Sequence, residues 1–200
     1  MPLGGTVAPM VCPYCQGRGV YPFDRMLHLG TFDEPLSQLI HRMKYNHKWT
    51  IGEQLADELL SREDVKSLIS EADVIVAVPL HVRRQVGRGY NQAAVIARHL
   101  AFRCRRQKLR VARPIVRLRN TETQTHLHSR GKREENLKGA FGLVDARCIA
   151  GKHVVLVDDV MTTGATFGAA ARAMLEAEPA SLSTIVIAVA DPKGRAFEIL

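Results

Sequence analysis

The sequence predicts an α/β domain, a parallel sheet flanked by helices, and three apolar runs with helical patterns between them carry that expectation. Val154 to Val157, the stretch DVIVAVPL from Asp73 to Leu80, and Leu182 to Ala190 are rich in branched residues and show no polar alternation. A strand covered by helices on both faces reads in that way, because neither face meets water. Helical spacing fills the intervals. Leu36, Leu39, Ile40 and Met43 fall at i, i+3, i+4 and i+7, while Ala93, Ala94, Ile96, Ala97 and Leu100 form a second stripe and Phe167, Ala170, Ala171, Met174 and Leu175 a third.

Taken in order, the chain begins with about twenty loop-like residues rich in Gly and Pro that contain CPYCQGRG, Cys12 to Gly19. Cys12 and Cys15 form one knuckle, half of a tetrahedral zinc site, which Cys104, Cys148, His28 or another chain would have to complete. Reduced free thiols are the other reading. Pro35 starts the first helix, and Thr50 with Glu53 reads as a capping box ahead of Leu55, Leu59 and Leu60. Both helices read as packing elements, with Lys44 of LIHRMKY set apart because it ends the apolar face. Residues 1–70 are therefore expected to form a small N-terminal hood with its knuckle, and residues 71–200 the α/β domain.

Composition bounds the class. A chain of 200 residues with 46% apolar content can fill one core. It has no run of eighteen apolar residues and no basic-then-apolar leader, so neither a membrane span nor a signal peptide is expected and the location reads as cytoplasmic. The net charge is +8, and Arg103 to Arg119 holds eight basic residues and no acid. Such a block suits nucleic acid, a heavily phosphorylated small molecule, or simply a solvated surface. Phe102 is the only aromatic beside it, which is thin for a stacking platform.

Two segments carry chemistry. In VVLVDDVMTTGAT, Val154 to Thr166, a buried strand runs into Asp158 and Asp159, whose side chains should diverge at the carboxyl edge of the sheet, where open α/β folds place ligands. Met161, Thr162, Thr163, Gly164, Ala165 and Thr166 then supply three hydroxyls, a permissive glycine and the unpaired N–H groups of a helix start, which suit a phosphate monoester. The acid pair also fits a P-loop NTPase, but Gly131-Lys132 and Gly151-Lys152 both lack the glycine five residues earlier that the phosphate loop requires. The second segment, HVRRQVGRGYNQ, is expected to be a loop. It lacks a third glycine for a dinucleotide fingerprint, and Arg83, Arg84 and Arg88 together with two glycines read as a pyrophosphate cradle, with Asn91 capping the next helix.

The thirteen residues from Val154 to Thr166 resemble the signature of the type I phosphoribosyltransferases. LIHRMKY, VAVPLHVRRQVGRGYNQ, RLRNTETQTHL with ENLKGAF, and that signature occur in the order seen in the ComF/GntX family of phosphoribosyltransferase-like proteins, from about Cys12 to Ala190. The resemblance implies the type I phosphoribosyltransferase fold, with Asp158 and Asp159 facing the ribose 2′- and 3′-hydroxyls and the 161–166 turn holding the 5′-phosphate. It also implies that the polar stretch from Asn120 to Lys138 is a lid, with Gln124, Arg130, Lys132, Arg133 and Asn136 as its working residues. One departure is the single cysteine pair, where family members commonly carry further pairs.

Two functions follow from the resemblance. One is an enzyme that binds phosphoribosyl pyrophosphate with Mg²⁺ and transfers the phosphoribosyl group to a base or amine that the sequence does not identify, the acceptor sitting near the end of the last strand. Magnesium is inferred because a diphosphate and a diol suit an octahedral, oxygen-loving cation. The other is a non-catalytic sensor or competence accessory protein associated with single-stranded DNA or competence proteins. A homodimer stays open.

Overall fold

Each apolar run is a strand, and all three lie in one sheet of the computed structural model, which describes residues 22–45, 48–104, 109–119, 137, 139–162 and 164–190. Strands β1 (Met26–Thr31), β2 (Val74–Ala77), β3 (Arg110–Ala112), β6 (His153–Met161) and β7 (Ser181–Val189) are ordered β1-β7-β6-β2-β3, every neighbouring pair parallel. A separate antiparallel pair, β4 (Ile115–Arg117) and β5 (Phe141–Leu143), stands beside it. The basic stretch from Val111 to Leu118 contributes to two strands in two sheets, parted at Arg113-Pro114, where proline supplies no N–H to continue a ladder.

Helices cover both faces, which is why the central strands lack alternation. On one side α1 (Leu36–Tyr45), α2 (Trp49–Ser61), α3 (Glu63–Glu71) and α5 (Gln92–Cys104) bring Ile40, Met43, Leu59, Ile69, Ile96 and Leu100 against Ile75, Val155, Val157, Ile185 and Ile187. On the other, α6 (Ala165–Leu175) and the β4–β5 hairpin bring Phe167, Met174, Ile115 and Phe141 against Val76, Val154, Leu156 and Val186. Along β6, Val154 and Leu156 face one core and Val155 and Val157 the other, each no more than 1% exposed. Leu175, placed in the buried stripe from its spacing, is 37% exposed because it closes α6 at the surface.

Residues expected to form a hood join this sheet. β1 is its edge strand, paired to β7 from Met26↔Thr184 to Thr31↔Val189, and α1 to α3 share a core with β2, β6 and β7. The capping box is displaced: α2 begins at Trp49, its N-cap Lys48 makes no side-chain cap bond, and Glu53 turns to His99 at 3.8 Å. The arginine segment is not a loop either. Val82–Arg88 forms the short helix α4, started by His81, whose Nδ1 accepts from the Arg83 N–H at 3.3 Å, and ended by Gly89 at φ 74°, a left-handed conformation that favours glycine. Among the described residues no helix is long and apolar enough to cross a membrane.

Candidate functional site

The acid pair lies within β6, at its last residues, because β7 stays paired to β6 as far as Met161↔Val189. The pleat sends the two side chains to opposite faces. Asp159 is 7% exposed and meets Lys44 of α1, whose Nζ stands 2.9 Å from Asp159 Oδ1. Asp158 turns toward the hairpin, and its Oδ1 accepts from the Asp159 N–H at 2.8 Å. Burial, and then the neighbouring Asp159 carboxylate, push Asp158 from its usual 3.8 up to about 7, while Lys44 and Arg117 pull the other way. Two carboxylates on adjacent residues are thus flanked by the cations Lys44 and Arg117.

The turn after β6 leads straight into α6. Gly164 has φ 74° and is the helix N-cap, and its carbonyl accepts from the Gly168 N–H at 2.8 Å. A Cβ there would meet only Met161 Sδ at 4.0 Å, so the backbone conformation, not crowding, calls for glycine. Met161 is 3% exposed and its carbonyl accepts from the Ala190 N–H at 2.7 Å, which ties the turn to the end of β7. Thr162, Thr166 and Ala165 flank the helix start; Thr163 lies outside the described residues. Helix α6 starts at Ala165, close in the chain to Met161 where β6 ends, so its first turn follows the sheet edge directly.

Arginines occupy the other flank. Arg84 and Arg88 lie one turn apart on α4, and the Arg88 guanidinium sits over the Tyr45 ring at 5.5 Å. Burial, followed by the Arg88 charge, holds Arg84 below the ordinary arginine range. Arg117 of β4 stacks over Phe141 at 5.4 Å and is held down by burial and then by Arg84, against the pull of Asp158. Arg88, Arg84, Arg117 and Asp158 thus form a chain of interacting charges. Arg83 is exposed and lies about 100° round the helix from Arg84. Sequence reasoning missed Arg117, whose only signal was the basic block, whereas Lys44 was marked by its place at the end of an apolar face.

The site's scaffold is visible too. Asn91 bridges the arginine helix to the sheet, donating to the Val78 carbonyl at 3.0 Å and accepting from the Ala94 N–H at 3.4 Å as the cap of α5. Tyr90 donates its hydroxyl proton to the Met43 carbonyl. Two cavities adjoin without including the acid pair: one of about 410 Å³ beside Arg113, Arg117 and Asn91, and one of about 720 Å³ beyond Tyr90, lined by Trp49, Arg98, His99 and Phe102. The lid residues Gln124, Arg130, Lys132, Arg133 and Asn136, and the cysteines Cys12 and Cys15, lie outside the described residues. Of the groups suggested to complete a zinc site, Cys104 packs on one face of the sheet and Cys148 on the other. Among the described residues no three His, Cys, Asp or Glu side chains cluster as metal ligands.

Comparison with known proteins shows the family. Residues 52–199 match the family model described as Phosphoribosyl transferase domain. The DNA utilization protein YhgH of Salmonella typhi is 37% identical over 160 residues, which cover 77% of this chain and 67% of that protein. Competence protein F of Haemophilus influenzae is 37% identical over 148 residues, covering 72% of this chain and 63% of that protein. The matched part of this chain therefore spans about two thirds of these relatives' length. A hypoxanthine phosphoribosyl transferase of Trypanosoma cruzi superposes with a TM-score of 0.41 at 18% identity, over 78% of this chain and 71% of that one. The sequence matches, and not that superposition, place the protein. The chain belongs to the phosphoribosyl transferase domain family and, within it, to the ComF group of phosphoribosyltransferase-like proteins.

Proposed function

We propose that the protein binds phosphoribosyl pyrophosphate and transfers its phosphoribosyl group to a base or amine, with pyrophosphate leaving. The observation that carries this reading is the placement of three chemically distinct walls around one sheet edge: the Asp158-Asp159 pair, the Gly164 turn with the N-terminus of α6, and the Arg84-Arg88-Arg117 cluster. A ribose diol faces the acids, its 5′-phosphate takes the helix N–H groups, and its diphosphate takes the guanidiniums.

As the anomeric C–O bond breaks, the electron pair leaves with pyrophosphate and the ring gains oxocarbenium character. The carboxylates stabilise that charge, and the arginines stabilise the departing one. The acceptor nitrogen then forms the new C–N bond and sheds a proton. Rate enhancement rests on orientation and charge. Asp158 and Asp159 offer two adjacent carboxylates, a donor set that fits Mg²⁺ arriving on the substrate's own oxygens and retaining waters. When bound, the cation neutralises charge on the diphosphate.

Release of pyrophosphate from phosphoribosyl pyrophosphate, assayed across purine and pyrimidine bases and simple amines, tests the reading. An acceptor that raises release well above buffer hydrolysis supports it, and hydrolysis alone for every acceptor counts against turnover.

A second reading has its own observation. Trp49, 51% exposed, and Phe102, 71% exposed, share the larger cavity with Arg98, so the chain brings an aromatic to Phe102 that lies far from it in sequence. Two rings and a guanidinium can stack bases of single-stranded DNA, and the relatives' names speak of DNA utilization and competence. On this reading the protein is an accessory factor for DNA uptake. Trp49 is the only tryptophan. Its fluorescence should be quenched by oligothymidylate in a salt-sensitive manner, and an unchanged signal at low salt refutes the reading.

A further inference from the structure

Three consecutive residues at the end of α1 touch three different parts of the site. The Met43 carbonyl accepts from the Tyr90 hydroxyl, Lys44 pairs with Asp159 at 2.9 Å, and Tyr45 lies under Arg88 at 5.5 Å. The turn that carries them is stiffly held, since Ile40 and Met43 are fully buried in the core beneath the sheet. The Lys44 and Asp159 side chains are themselves largely covered, at 20% and 10% exposure. We propose that Lys44 is a positioning residue for the sugar site: its ammonium fixes the plane of the Asp159 carboxylate so that the second oxygen is presented to the ribose diol. This rests on the reading that the acid pair binds that diol.

Three features favour positioning over a purely structural pair. An exposed ion pair contributes little, whereas a covered one constrains its partner's geometry. Asp159 belongs to a ligand-facing pair, and a carboxylate free to rotate there would lose part of its interaction with a hydroxyl. Finally, α1 is joined through Tyr90 and Arg88 to the arginine helix, so the same turn that orients the acid also sets its distance from the diphosphate site.

The test measures calorimetric affinity for two probes, phosphoribosyl pyrophosphate and inorganic pyrophosphate, in wild type, Lys44→Met and Lys44→Arg, with thermal unfolding as a check. Lys44→Gln gives the same comparison should the Met variant not fold. Pyrophosphate has no diol and reports the arginine cluster alone. Lys44→Met is expected to weaken phosphoribosyl pyrophosphate about tenfold or more, as loss of a charged hydrogen bond does. Pyrophosphate should stay within about threefold, and Lys44→Arg should recover most of the loss. Parallel loss of both probes, or no loss of either, overturns the proposal. Wild-type protein that takes pyrophosphate but not phosphoribosyl pyrophosphate overturns the proposed function itself, and with it the role of Lys44.

Discussion

Replacing Asp158 by Asn should stabilise the folded protein, and by an amount that depends on pH. In the folded chain burial and Asp159 raise Asp158 from 3.8 to about 7, so between those values the native state holds a proton that the unfolded chain has released. The unfolded state then binds fewer protons, and stability falls as pH rises from about 4 to about 7, by up to about 1.4 kcal/mol per unit. Three units give a ceiling of about 4 kcal/mol, and residual solvent contact with relaxation of Lys44 and Arg117 should leave about half of it, roughly 2 kcal/mol. Asn keeps the oxygen that accepts the Asp159 N–H and removes the titration. For a chain of this size that predicts a Tm about 4–8 °C above wild type at pH 8. The advantage should largely disappear near pH 4. Circular-dichroism melts of both proteins at pH 4, 5, 6, 7 and 8 measure it. A Tm gap that does not change with pH, or wild type melting above the variant at pH 8, refutes the description of the acid pair as strained by burial.

Two further outcomes concern the flanking walls. Arg84→Ala with Arg88→Ala should weaken pyrophosphate binding at least about tenfold, as loss of two charged contacts does, while Arg83→Ala, on the exposed side of α4, should change it less than about twofold; equal losses would show that α4 turns its other side to the ligand. Gly164→Ala places a β-carbon on a residue at φ 74° with space around it, so it should cost about 1–2 kcal/mol in stability and weaken the 5′-phosphate contact, and an unshifted Tm would contradict the strain argument.

Much of the fold was readable because burial on both faces leaves a strong mark: β2, β6 and β7 are apolar runs, and α1, α5 and α6 show their stripes. What failed to read has local causes. Thr50 looks like a cap only if the helix starts after it, yet Trp49 already lies inside α2. The arginine segment carries glycines that suggest a loop, but His81 and Gly89 cap seven residues of helix between them. β1 is a six-residue edge strand with intermediate burial, which gives no clear run, so its membership in the sheet was hidden. At the site, the acid pair and the glycine turn were legible from composition and order. Lys44 on Asp159 and Arg117 near Asp158 were not, because both contacts join residues more than forty positions apart or on opposite sides of the long segment before β5.

On the proposed reading, the paired aspartates and the turn behind them form one seat for an activated sugar phosphate. Titration of the purified protein with phosphoribosyl pyrophosphate, with and without Mg²⁺, in wild type and in the Asp158→Asn/Asp159→Asn double variant, tests it most directly. Saturable binding strengthened by Mg²⁺ in the wild type and lost in a folded double variant is the expected result. Binding of equal strength in both proteins, or none in the wild type, would contradict it.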